Sequence, residues 1–186
     1  TPYHSIPFSK IKSEHFIPAL KKNIERALKQ IDELTQQTAS PSFENTMEPL
    51  QNTGALLERN SAILFNLNSA ETSDAIQAVT QQAAPLLTKF QNDIRLNQAL
   101  FERIKTIYNQ LDSENLSNEQ RTLLEKEYKA LVRNGALLSN DKKEMLREID
   151  TEKAQLSLSF GEHILADTNN YQLHITSEDD LKGLTD

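Results

Sequence analysis

Apolar residues recur along most of this chain at steps of three and four, the repeat of an α-helix that buries one side. The first seam runs through Phe16, Leu20, Ile24, Ala27, Ile31 and Leu34, with Ile17 and Leu28 widening it. Ser13 stands in capping position, and Pro18 is tolerated only in about the first turn, so the regular helix is expected to begin a residue or two after Ser13. Residues 42–70 carry the next seam, through Phe43, Met47, Leu50, Gly54, Leu57, Ser61 and Leu64. A second face with Leu56, Ile63 and Leu67 makes this the expected central helix, and Gly54 and Ser61 leave room on it for a close partner. Either Ser42 or Thr46 could cap it. Pro49 is harmless if the helix starts at Thr46 but kinks one that starts at Ser42, the cap preferred here.

Four more helical patterns follow. Ser73 caps a third helix with Ile76, Val79, Ala83, Leu86, Leu87, Phe90 and Ile94 on its seam and Pro85 expected to bend it. A fourth carries Leu100, Phe101, Ile104, Ile107, Tyr108 and Leu111, and residues 112–118 read as a loop. The fifth, starting near Ser117 or Asn118, buries Leu123, Leu124, Tyr128, Leu131 and Val132 and stops at Asn134 and Gly135; its Glu125, Lys126, Glu127 and Lys129 form a solvated face. Ser139 or Asn140 caps the sixth, whose expected stripe is Met145, Leu146, Ile149, Leu156, Phe160 and Ile164.

The two ends lack this repeat. Residues 1–12 hold Pro2 and Pro7 and read as an extended arm that docks Ile6, Phe8 and Ile11. Past Asp167, Tyr171 to Thr176 alternates like a strand, and Ser177 then caps a last short helix opened by Glu178, Asp179 and Asp180. The expected fold is all-α: a multi-helix antiparallel bundle of about six helices, with an extended N-terminal arm and a single C-terminal strand left unpaired by truncation. Its expected organisation is an arm over residues 1–12, a helical domain over 13–168, and a strand with the start of a helix over 169–186. A strand without a partner and a helix barely begun are what a cut through a larger protein leaves. The first residue, Thr1 rather than Met, likewise suggests that something upstream was removed.

Composition narrows the class. At 186 residues a compact fold buries roughly 70% of its unfolded surface, enough for a core without staples. With no cysteine there is no disulfide, thiol nucleophile or thiolate metal site. The net charge of −7, with basic and acidic residues interleaved, argues against nucleic acid, and no run approaches the ~20 apolar residues of a membrane span. The expected compartment is cytoplasmic or periplasmic, without a choice between them.

Candidate chemistry is sparse. No H-E-x-x-H zinc helix, glycine-rich phosphate loop or G-x-S-x-G elbow is present. His15 and His163 each follow a glutamate, and Asp167 lies one turn beyond His163, but one imidazole and one carboxylate fall short of three zinc ligands; both histidines read as packing or surface residues. His4 falls in the arm and His174 in the expected strand. Phe16, Phe43, Phe65, Phe90, Phe101 and Phe160 lie on apolar stripes and read as core. Asn45, Asn66 and Asn68 stand out, because asparagine is a poor helix-interior residue. Asn66 and Asn68 either turn the chain at a helix end or line a polar cavity.

The ordered strings PFSKIKSEHFIPAL, SFENT, FNLNSAET, LVRNGALL and KKEMLREID resemble the amino-terminal part of the thimet-oligopeptidase family of zinc metallopeptidases. FNLNSAET resembles its peptidyl-dipeptidase, or dipeptidyl carboxypeptidase, branch. The resemblance implies a helical clamshell of two halves around a deep channel, whose relative opening would be a hinge motion, with zinc held by residues of the carboxy-terminal half. It assigns no catalytic and no metal residue to this sequence. It implies a channel-narrowing wall, with Asn66 and Asn68 as substrate-channel candidates, short peptides as substrates and the missing catalytic half as partner. Zinc would belong to the full-length protein and not to this segment. The alternative is a self-sufficient helical interaction module that binds a partner helix in its grooves.

Overall fold

The computed structural model describes residues 5–111 and 115–183. Six helices of twelve or more residues run in the order expected: α1 Phe16–Thr35, α3 Ala55–Ala70, α4 Asp74–Arg95, α5 Gln98–Asn109, α6 Asn118–Arg133 and α7 Asn140–Asn170, with a short α2, Glu48–Asn52, after α1. Two compact units are distinguished, one ending at Gln155 and the other starting at Leu156.

In the first unit α1 is the spine. Its first half places Phe16 and Leu20 in a cluster with Leu57, Leu64 and Ala83, and its second half places Ile31 and Leu34 in a cluster with Phe43, Met47, Leu100, Phe101, Ile104, Ile107, Leu124, Leu131 and Ala136. One amphipathic helix thus joins two cores. The stretch expected to be central is instead divided between them. Ser42 does cap it: Ser42 Oγ accepts from the Asn45 N–H at 3.3 Å, and Asn45 Oδ1 accepts from the Ser42 N–H at 2.9 Å. The first turn then widens to a π-helix, Phe43–Met47, in which the Glu48 N–H reaches Phe43 O, and Pro49 falls in the first turn of α2. At Thr53 the backbone is extended, and at Gly54 it turns left-handed with φ +80° before α3 begins. A Cβ on Gly54 would lie 3.8 Å from Phe90 and 3.9 Å from Ala27, ordinary contact distances. Gly54 therefore serves the chain break rather than a close helix approach.

Local chemistry explains the other boundaries. The α1 entry is a 3₁₀ turn, Ser13–His15, in which the Lys12 N–H donates to His15 Nδ1 at 3.2 Å; the α-helix follows at Phe16 with Pro18 in its first turn. Ser73, Asn97 and Ser117 cap α4, α5 and α6 through their side-chain oxygens. α4 runs through Pro85 as a continuous helix. α6 ends at Gly135, φ +97°, where the Ala136 N–H reaches Leu131 O and the Gly135 N–H reaches Val132 O, the two bonds of a Schellman stop. A Cβ there would meet Leu146 at 2.8 Å and Leu138 at 2.9 Å.

Several expectations are corrected. Of the arm residues Ile6, Phe8 and Ile11, only Ile11 packs on the core; Ile6 and Phe8 are exposed around a short 3₁₀ turn. Pro2 and His4 lie outside the described residues, as do 112–114 of the expected loop. α7 does not bury its stripe. In the first unit Met145 and Ile149 are exposed while Lys143 is buried; in the second Leu156, Phe160 and Ile164 are exposed. The C-terminal strand does not form: the segment from Tyr171 to Ser177 has no regular structure among the described residues and is exposed, because a strand exists only by pairing its backbone. Ser177 does begin a short helix, the 3₁₀ turn Glu178–Leu181.

Candidate functional site

The polar residues that the core encloses are Thr46, Thr80, Asn92, Arg103 and Lys143. Arg103 comes from the apolar face of α5, one turn from Leu100 and Ile107. Its Nη1 donates to Gln37 O at 3.1 Å and Ala39 O at 3.4 Å; its Nη2 donates to Asn45 Oδ1 at 3.0 Å and Thr46 Oγ1 at 3.2 Å. No carboxylate pairs with it among the described residues, its Nε has no partner, and burial pulls its pKa below the usual arginine range. This guanidinium is a clamp that ties the α1–α2 connector to α5. Asn45, conspicuous in the sequence, is thereby explained as a capping and clamping residue. Lys143 plays a similar part, with Nζ donating to Leu96 O at 3.3 Å and Gln98 Oε1 at 2.9 Å across the α4–α5 junction.

A groove of about 870 Å³ lies in the first unit between α4 and the beginning of α7. Pro85, Leu86 and Lys89 line it from α4, and Glu144, Glu148 and Glu152 from α7. Across it Arg147 Nη1 meets Asp93 Oδ1 at 2.7 Å, and Arg147 Nε lies 3.4 Å from Glu144. Asn92 also lines the groove and is 4% exposed. A second, more apolar groove of about 450 Å³ lies between α3 and α4, with Leu57, Ser61, Phe65, Leu87 and Phe90 among its lining.

The residues singled out from sequence do not converge on either groove. Asn66 is exposed and Asn68 half-buried on α3, and two residues of an α-helix point roughly 200° apart. Asn68 Oδ1 accepts from Thr72 Oγ1 at 3.3 Å at the end of that helix. His15 Nδ1 accepts from the Lys12 N–H in the 3₁₀ turn before α1, while His163 and His174 are exposed. Among the described residues no three His, Cys, Asp or Glu side chains are grouped so as to hold a metal ion. Nor is any helix of the described residues long and apolar enough to cross a membrane. Sequence reasoning missed the buried Arg103, Lys143 and Asn92. Arg103 alone carried a readable signal, a charged residue in register with Leu100, Ile104 and Ile107.

Comparison with known proteins covers the whole of this architecture. Residues 17–143 match the family described as Neurolysin/Thimet oligopeptidase, N-terminal domain. The chain is 31% identical over 184 residues to a dipeptidyl carboxypeptidase of Salmonella typhimurium, covering 99% of the chain and 27% of that enzyme. It is 29% identical over 185 residues to the Escherichia coli dipeptidyl carboxypeptidase, covering 100% of the chain and again 27% of the relative. With the oligopeptidase A of Escherichia coli the identity is 24% over 184 residues, 99% of the chain and 27% of that protein. The chain thus spans about a quarter of the length of the relatives it matches.

Proposed function

The chain belongs to the neurolysin and thimet oligopeptidase family as its N-terminal domain, and from that premise we propose that it is the non-catalytic part of a zinc metallopeptidase that releases dipeptides from the C-termini of short peptides. Residues 13–168 serve as one wall of a substrate channel, which narrows so that short unfolded peptides enter. Residues 1–12 act as an arm on that wall, and 169–186 lead towards the catalytic part. The observation that carries the dipeptide-releasing branch is similarity over 99% of the chain to a dipeptidyl carboxypeptidase at 31% identity, above the 28% and 24% for the oligopeptidases A of Haemophilus influenzae and Escherichia coli.

Zinc and the atoms that cut belong, on this reading, to polypeptide beyond these 186 residues, and no step of the reaction runs through the side chains described here. Asn66 and Asn68 are the proposed substrate-channel candidates, and because they point roughly 200° apart on α3 one of the two faces the channel. Asn66 is exposed, and the Asn68 amide nitrogen has no partner among the described residues. The test has two arms. The purified 186-residue chain with added zinc is expected to hydrolyse no peptide, whereas a longer form carrying the downstream polypeptide releases dipeptides from an N-blocked peptide with a free C-terminus and stops when chelated. Metal-dependent dipeptide release by the short chain overturns the division of labour. Internal cleavage by the long form, indifferent to a free C-terminus, overturns the branch. Replacing Asn66 or Asn68 with Ala in the long form is expected to raise KM with zinc content unchanged.

A further inference from the structure

The sequence holds one Asn-Gly pair, Asn134-Gly135, and it forms the stop of α6. Such a pair is chemically labile, because glycine has no Cβ to shield its backbone nitrogen from the preceding asparagine side chain. In the reaction the Gly135 nitrogen attacks Asn134 Cγ. A new C–N bond closes a succinimide ring, and the Asn134 amide nitrogen leaves as ammonia with the proton given up by Gly135. Water then adds to either ring carbonyl, which leaves aspartate or a β-linked isoaspartate at position 134.

The fold holds each reacting group in another arrangement. The Gly135 N–H donates to Val132 O at 3.2 Å and Asn134 Nδ2 donates to Ala130 O at 2.7 Å, so the nucleophile and the leaving group are both engaged. At Asn134 ψ is 14°, which turns the Gly135 nitrogen away from the Asn134 side chain, and ring closure needs that bond rotated. Rotation would carry Gly135 with it, and Gly135 is buried in tight packing: a Cβ there would lie 2.8 Å from Leu146, 2.9 Å from Leu138 and 3.4 Å from Leu96. Asn134 itself is exposed, so water reaches the side chain as soon as the turn lets go.

We propose that Asn134 is a fold-gated deamidation site, inert while the α6 stop is closed and converted to aspartate or isoaspartate when that stop opens. The product does not restore the turn. Aspartate loses the bond from Nδ2 to Ala130 O and sets a negative charge at a helix C-terminus, where the macrodipole disfavours it. Isoaspartate inserts an additional backbone atom, which shifts the Gly135 and Ala136 N–H groups out of register with Val132 O and Leu131 O. Each opening that ends in reaction therefore makes the next one easier. Every residue named belongs to the first unit, and the inference is independent of whether the chain walls a peptidase channel.

The 186-residue chain, incubated in mildly alkaline buffer with and without denaturing urea, tests it. Digestion and mass spectrometry follow the amide-to-acid conversion and the isoaspartate at position 134. The rate is expected to be at least about tenfold higher in urea than in buffer alone, because opening then no longer limits it. Leu146→Ala keeps the Asn-Gly pair but removes a side chain packed on Gly135; it is expected to raise the rate in buffer about threefold or more and leave the rate in urea unchanged. Gly135→Ala should slow the reaction in urea at least about tenfold, since a Cβ then shields the nitrogen. Equal rates for the parent in buffer and in urea overturn the gate. Deamidation in urea spread over the other asparagines without preference for Asn134 overturns the site. Should Leu146→Ala not fold, the parent followed through rising urea below its unfolding midpoint decides: a rate that climbs supports the gate, and a flat one overturns it.

Discussion

Arg103 shows how one side chain can hold two parts of a fold together. Its guanidinium reaches two carbonyls, an amide oxygen and a hydroxyl that all belong to the chain between Gln37 and Thr46. A lysine in its place is a point charge and cannot span these acceptors, so buried oxygens go unmet. Arg103→Lys is expected to destabilise the chain by about 1–3 kcal/mol in urea unfolding and to speed proteolysis of the connector before Phe43. Glu127 gives a second prediction at this scale. Read from sequence as part of a solvated face, it is half-buried, and burial raises its pKa while Arg95 opposes the rise. A carboxyl whose folded pKa lies above its unfolded one takes up a proton on folding, so its unfavourable contribution is full above the folded pKa and fades as pH falls through it. Glu127→Gln is therefore expected to be the more stable protein at neutral pH, by under about 1 kcal/mol, with the gap closing in acid. Glu44 and Glu119 act in the opposite sense. Their own backbone N–H groups and then Ser42 and Ser117 lower their pKa values, a stabilisation present above the unfolded pKa and lost as pH falls through the folded one. Urea midpoints of variant and parent at pH 7 and pH 4 isolate Glu127, because both proteins share those two.

At the scale of elements, the sequence was most legible where an amphipathic repeat coincided with a cap. Ser42, Ser73, Ser117 and Gly135 stand at the starts and stop expected of them, since a cap is a local hydrogen bond that needs no tertiary information. Periodicity could not reveal that residues 42–70 break at Gly54, because the seam keeps its spacing across the break while passing from one cluster to the other. It also could not show that α7 leaves Met145 and Ile149 in the open, or that Asn92 would be enclosed: burial depends on what packs against a face, and the face alone does not specify that. The candidate site was hidden for the same reason, being assembled from α4 and α7 across some fifty positions of sequence. Two of the left-handed glycines, Gly54 and Gly135, separate conformation from space. Gly54→Ala meets only the backbone penalty, about 1–2 kcal/mol, whereas Gly135→Ala adds overlap with Leu146 and Leu138, for about 2–4 kcal/mol. Comparing their urea midpoints measures the difference; equal losses would show that Leu146 and Leu138 yield freely.

For the molecule as a whole, the decisive feature is apolar surface that the chain does not cover. The second unit exposes Leu156, Phe160, Ile164, Leu165, Tyr171, Leu173 and Ile175. Leu181 is exposed as well. Single exposed leucines are ordinary, but eight large apolar side chains in so short a segment form a concentration that usually marks an interface. The family supplies a reason, since the relatives are about four times as long as this chain and have further polypeptide available to cover it. The 186-residue chain is accordingly expected to bind an apolar dye and to self-associate as its concentration rises. Phe160→Glu, which places a charge at a position 68% exposed, should reduce both without lowering the unfolding free energy measured in urea by more than about 0.5 kcal/mol. The longer form should bind little dye even with Phe160 in place. A chain that stays monomeric and dye-free at high concentration would instead fit a self-sufficient interaction module, and the grooves of its first unit would then be the surfaces on which to look for a partner.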